Sequence, residues 1–71
     1  MAEYDYSKTV QPDLDTLWAD IEGSAMTNKS QQGATWEEAL ELLHVYFETD
    51  LDAGDKTILD GIVAALPPLD L

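Results

Sequence analysis

Thr35–Glu48, TWEEALELLHVYFE, decides the fold, because two rules of local structure disagree over it. Thr35 and Glu38 form a T-x-x-E capping box, and the following EEALELL is rich in helix formers. Against this, Leu43, Val45 and Phe47 alternate with His44, Tyr46 and Glu48. That alternation is a strand pattern, carried by β-branched and aromatic residues. A helix confined to 35–42 would have only about two turns and would be marginal without packing. The alternative is a hairpin over 34–48. Ala34–Trp36 would pair back onto Leu42–Glu48 through an acidic turn at Glu37–Glu41. The residues leave a turn or a short helix at 36–42 open, and the balance leans to the hairpin.

Outward from this block, each flank predicts a helix. On the C-terminal side, Asp52 is an N-cap candidate, and Asp55 can answer it as a variant capping box. Ile58, Leu59, Ile62, Val63 and Leu66 then form one apolar stripe. Pro67 and Pro68 stop the ladder, which gives a helix over 53–66 and a tail over 67–71. On the N-terminal side, Pro12 suits a first helical turn, and Asp13 and Asp15 sit near the positive end of the dipole. Leu14, Leu17, Trp18, Ile21 and Ala25 share one face of a helix over 12–25. Trp18 reads as a core anchor rather than a ligand-stacking ring. Residues 27–34, TNKSQQGA, read as a loop or a weak edge strand, with Gly33 at a turn or a close backbone approach. Residues 1–10 form an extended arm or a strand, with Tyr4, Tyr6, Lys8 and Val10 on one face.

The expected fold is therefore α+β, as one small domain over 1–71. Two amphipathic helices pack on a small antiparallel sheet, made of the hairpin and, in one reading, an N-terminal strand. The expected core is Leu14, Leu17, Trp18, Ile21, Trp36, Leu43, Val45, Phe47, Ile58, Leu59, Ile62 and Val63. A chain of 71 residues buries only about 60% of its unfolded surface, so self-association is expected.

Composition narrows the function. The net charge is −12, from fifteen acidic residues against three lysines, with no arginine. Such a surface repels nucleic-acid phosphates and anionic lipid. Without cysteine there is no disulfide, thiolate zinc site or thiol nucleophile. No apolar run approaches the roughly 20 residues of a membrane helix. The start MAEYDYSKTV, with no basic residue or apolar stretch at its head, is not expected to be a signal peptide.

Motifs for chemistry are weak. His44 is the only histidine, sits in an alternating strand and has no accompanying nucleophile motif. It is expected to face solvent or a partner. Asp50, Asp52 and Asp55 fail the calcium-loop test. Counted from Asp50, position 5 is Gly54 and position 12 is Gly61, so ligands are missing. The glycines at 23, 33, 54 and 61 are scattered and cradle no phosphate. The expectation is no enzyme, no cofactor and no metal. The remaining signal is the charge itself. One reading is solubility. A sharper one is an acidic mimic of nucleic acid, which needs its carboxylates gathered on one surface, although they are spread along the chain.

One resemblance adds context. The block ATWEEALELLHVYFETDLDAGDKTILDGIVAAL (34–66) resembles the C-terminal half of small phage proteins of unknown function. These are encoded among virion structural genes, often near those for tail fibres. The matching pieces are LHVYFETDL (43–51) and DAGDKTILDGIVAAL (52–66). EYDYSKTVQPDLDTLWADI resembles the opening of such proteins, with KTVQPD entering the first helix. The resemblance implies phage origin, no enzymatic activity and a hairpin before the 43–48 strand. The helix-forming EEALELL departs from that last feature. It transfers no functional residue. The expected role is a head, tail or fibre component, homo-oligomeric and in contact with other virion proteins. It would be assembled in the host cytoplasm and touch neither nucleic acid nor membrane directly. Candidate contacts are Tyr4 and Tyr6, Tyr46 on the outer strand face, and Leu69 and Leu71 in the tail.

Overall fold

A computed structural model describes residues 1–69 and resolves the conflict over 35–48 in favour of the hairpin. Strand β2 spans Gln31–Glu37 and strand β3 spans Leu42–Phe47, paired antiparallel with Thr35 opposite His44. The helix-forming EEALELL is split instead, with Glu38–Glu41 in the connecting turn, Glu37 at the end of β2 and Leu42 and Leu43 at the start of β3. In the turn Glu41 N–H donates to the Glu38 carbonyl at 3.2 Å, and Glu41 adopts a left-handed φ of 52°. Period two wins because it buries Leu43, Val45 and Phe47 completely. A two-turn helix would have buried far less apolar surface.

The N-terminal segment is a strand. β1 (Ala2–Ser7) pairs antiparallel with β3, Tyr4 opposite Val45 and Asp5 opposite His44. The sheet order is β1-β3-β2, so the last strand in sequence is the central one. Helix α1 (Leu14–Glu22) joins β1 to β2, and α2 (Ala53–Ala64) follows β3. The two helices touch each other, and their apolar stripes meet Leu43, Val45 and Phe47 in one cluster on one face of the sheet.

The helices are shorter than the 12–25 and 53–66 read from periodicity. At α1 the cap is Asp13, whose carboxylate accepts from Asp15 N–H at 3.1 Å and Thr16 N–H at 3.3 Å. Pro12 therefore lies outside the helix, buried, and bridges to Pro68. The helix ends at Gly23, and Ala25 is exposed beyond it. α2 stops two residues before the end predicted at Leu66, although Leu66 stays buried. β2 begins at Gln31, earlier than Ala34, and carries a register irregularity between Gln31 and Gly33. Gly33 thus sits in a strand, not at a turn.

The core is narrower and wider than expected. Leu17, Ile21, Leu43, Val45, Phe47, Leu59 and Val63 are buried. Leu14, Trp18, Trp36, Ile58 and Ile62 are only partly buried and flank that centre. Leu66, from the apolar stripe predicted for the second helix, completes it, together with Met26 and Ala2 from positions that periodicity did not assign to the core. Met26 lies in the loop after α1, where no period marks it.

Candidate functional site

Both helices lie on one side, so the other face of the sheet holds the alternate residues of all three strands. His44 stands at its centre. Its phase against the buried Leu43 and Val45 turns it outward. Antiparallel register places Asp5 of β1 directly opposite, and Glu3 and Glu37 at neighbouring levels. His44 Nδ1 lies 2.8 Å from Asp5 Oδ1 and 3.0 Å from Glu3 Oε2, and Nε2 lies 3.3 Å from Glu37 Oε2.

This geometry fixes the protonation state that suits the site. A neutral imidazole has one N–H, so one ring nitrogen would aim a lone pair at a carboxylate. The imidazolium donates from both nitrogens. Accordingly the His44 pKa is raised above 6.5, chiefly by the hydrogen bond to Asp5, with Glu37 and Glu3 adding and burial opposing. Asp5 is held below 3.8 by its side-chain interactions with Glu3 and then His44. Three carboxylates around one imidazolium leave two negative charges on the face. The side chain of His44 is 15% exposed, and those of Asp5 and Glu37 are about half exposed. Glu3, Asp5 and His44 each offer one ligand atom, all within 4.8 Å, a set that could accept a divalent cation. A proton on His44 satisfies the same three groups.

A second polar cluster is structural. Asp52 caps α2, accepting from Asp55 N–H at 2.7 Å. Asp55 does not complete a capping box. Its side chain turns to the loop after α1 and accepts from Thr27 N–H at 3.0 Å, Thr27 Oγ1 at 2.9 Å and Asn28 N–H at 3.0 Å. Asp55 is buried, and its pKa is lowered first by the Thr27 N–H, then by the Asn28 N–H and the Thr27 hydroxyl, against burial. Asn28 Nδ2 in turn donates to the Thr49 hydroxyl at 3.0 Å, tying this loop to the chain after β3.

The tyrosines proposed as contacts divide. Tyr4 and Tyr6 belong to the inner side. The Tyr4 ring meets Phe47 edge-on at 5.9 Å, and its hydroxyl accepts from Leu51 N–H at 2.7 Å. Tyr6 donates to Asp60 at 2.7 Å, and burial and that carboxylate push its pKa up. Lys56 lies over both rings and pairs with Asp60. These two tyrosines are therefore internal packing between β1 and α2. Tyr46 remains on the outer face, half-buried. Leu69 is held by its own domain, its N–H donating to the Gln11 carbonyl at 2.7 Å, while Asp13 N–H donates to the Pro67 carbonyl at 3.0 Å. Leu71 lies outside the described residues.

The carboxylate cluster was missed because its members are 41, 39 and 7 residues from His44. The available signal was the alternation in EYDYS, which puts Glu3 and Asp5 on one face once β1 is paired. A cleft of about 380 Å³ lies elsewhere, between α1 and the start of β2, lined by Trp18, Glu22, Gln31, Gln32 and Gly33. Trp18 thus packs on the core and also walls this cleft. No protein-family model, no curated protein and no solved structure matches the chain, so its own geometry carries the functional reading.

Proposed function

We propose that this chain is a non-enzymatic structural or accessory protein of a phage virion, a head, tail or fibre component that works through protein–protein contacts. The observation that carries the reading is the one-sided layering of the fold. Both helices cover the inner face of the sheet, which leaves the outer face, with Tyr46 and the His44 cluster, and the far edge of β2 as binding surface. The resemblance of residues 3–21 and 34–66 to small phage proteins supplies the context. A sheet of only three strands gains from a neighbour, which supports homo-oligomers alongside contacts with other virion proteins. The charge of −12 argues against direct contact with nucleic acid or anionic membrane. Assembly then takes place in the host cytoplasm. Mass spectrometry of purified particles tests the reading. The expected result is this chain at fixed stoichiometry, and its absence from particles refutes it. Light scattering tests the oligomer, since a sharp mass of 7.8 kDa at high concentration counts against it.

One observation favours a second reading, an acidic anti-defence protein that imitates nucleic acid. Glu3 and Asp5 of β1 and Glu37 of β2, from distant parts of the chain, are gathered around His44 on one face. A tight complex with a host nucleic-acid enzyme, weakened by salt, would support it over the first.

A further inference from the structure

β2 is an edge strand, paired on one side only. Among the described residues its other side has no backbone partner. A free edge is a template for a further strand, whose main-chain hydrogen bonds supply affinity. A strand added there would point every second side chain towards the helix side of the sheet. At the start of β2 that side is open, because the cleft of about 380 Å³ lies between it and α1. The volume is within the range of ligand pockets, roughly 300–1,000 Å³.

Four features of the cleft set the charge and shape of its occupant. Glu22 stands on its wall, held there by Gln31 Nε2, which donates to Glu22 Oε1 at 2.7 Å. α1 ends at Glu22 with no basic residue in its last turn, so the negative end of the helix dipole lies at the same place. One cation is already drawn to it, since Lys29 Nζ donates to the Glu22 carbonyl at 2.8 Å. The Trp18 indole forms another wall, and an indole face is the best aromatic partner for a guanidinium. A guanidinium is flat and carries five N–H donors in one plane, which suits a carboxylate beside an indole face.

We propose that the free edge of β2 and the Trp18–Glu22 cleft form one docking site for an extended, arginine-bearing segment of a partner protein. The segment adds to β2 as a strand, and one arginine enters the cleft, stacks on Trp18 and pairs with Glu22. The charge of −12 favours such a partner throughout the approach. The inference rests on the reading of the chain as a protein-contact protein and names the chemistry of the partner.

The test uses a capped peptide of alternating valine and arginine, titrated into the isotope-labelled chain and followed by NMR. The expected result is saturable shifts over Gln31–Glu37 and at the Trp18 indole N–H. Glu22→Gln, at an exposed position, should weaken binding about tenfold, and Trp18→Leu by a similar factor. Methylating alternate backbone nitrogens of the peptide should weaken it as much, and glutamate in place of arginine should abolish binding. Shifts centred on Glu3, Asp5 and His44 would overturn the site, because they would mark charge attraction to the outer face. So would unchanged affinity in Glu22→Gln or no saturable binding. Presence in particles is read independently by mass spectrometry, so the two ideas fail separately.

Discussion

Truncation of Leu59 should remove a large part of the protein's stability. Leu59 is 0% exposed and, with Val63, brings α2 into the cluster of Leu43, Val45 and Phe47. Leu59→Ala removes three carbons from a closed environment, which costs about 2–5 kcal/mol through lost transfer energy and the cavity left behind. A domain of 71 residues has a total stability of about 4–10 kcal/mol. A loss of about 3 kcal/mol corresponds to a fall in Tm of roughly 12–24 °C at this size. Leu40 is the control. It sits at the hairpin tip, 61% exposed, and Leu40→Ala should stay within about 0.5 kcal/mol. Urea unfolding followed by far-ultraviolet circular dichroism measures both, with unchanged slopes showing that the unfolded states are comparable. Equal midpoints for the two variants would refute the packing of α2 on the central strand. A larger loss from Leu40 would restore the short helix at 35–42.

The other predictions concern charge and backbone. Because the folded-state pKa of His44 is raised, its contribution to stability is complete below about pH 6.5 and is lost as pH rises through the raised value. The urea midpoint should therefore be higher near pH 6 than near pH 9, and His44→Gln should flatten that difference; an unchanged profile would sink the imidazolium account. Asp55 has a lowered folded pKa, so its contribution is present above 3.8 and is lost as pH falls through the depressed value. Asp55→Asn should release the loop at Thr27 and Asn28, read as faster hydrogen exchange at those two amides, and should leave β1 protected. Glu41 holds a left-handed φ of 52°, so Glu41→Gly should stabilise the hairpin by up to about 1 kcal/mol, and a lower Tm would contradict the turn geometry.

The outcome at particular residues shows which signals were local. The capping residue of α2 was legible because Asp52 acts on its own helix. The partner of Asp55 was not, because Thr27 and Asn28 lie 28 and 27 residues away and no spacing rule reaches that far. Tyr4 and Tyr6 were placed on one face, as the structure has them, but which face was inner depended on β3 arriving beside β1. Met26 and Pro12 were invisible as buried residues, since each lies outside a regular element and is covered by segments distant in sequence.

By itself the sequence determined the α+β class, the two helices, the buried alternation of Leu43, Val45 and Phe47, and the acidic surface. Each of these follows from neighbours a few residues apart, where helix and strand periods operate. The tertiary structure alone decided that EEALELL is divided between the turn at Glu38–Glu41 and the ends of β2 and β3, that β3 is central, and that β1 closes the sheet. Burial across three strands outweighs a helix propensity of a few tenths of a kcal/mol per residue. It also decided that His44 sits among Glu3, Asp5 and Glu37, and that Glu22 and Trp18 face an open strand edge. Those groupings depend on register between distant segments, and register is set by the packing of the whole core.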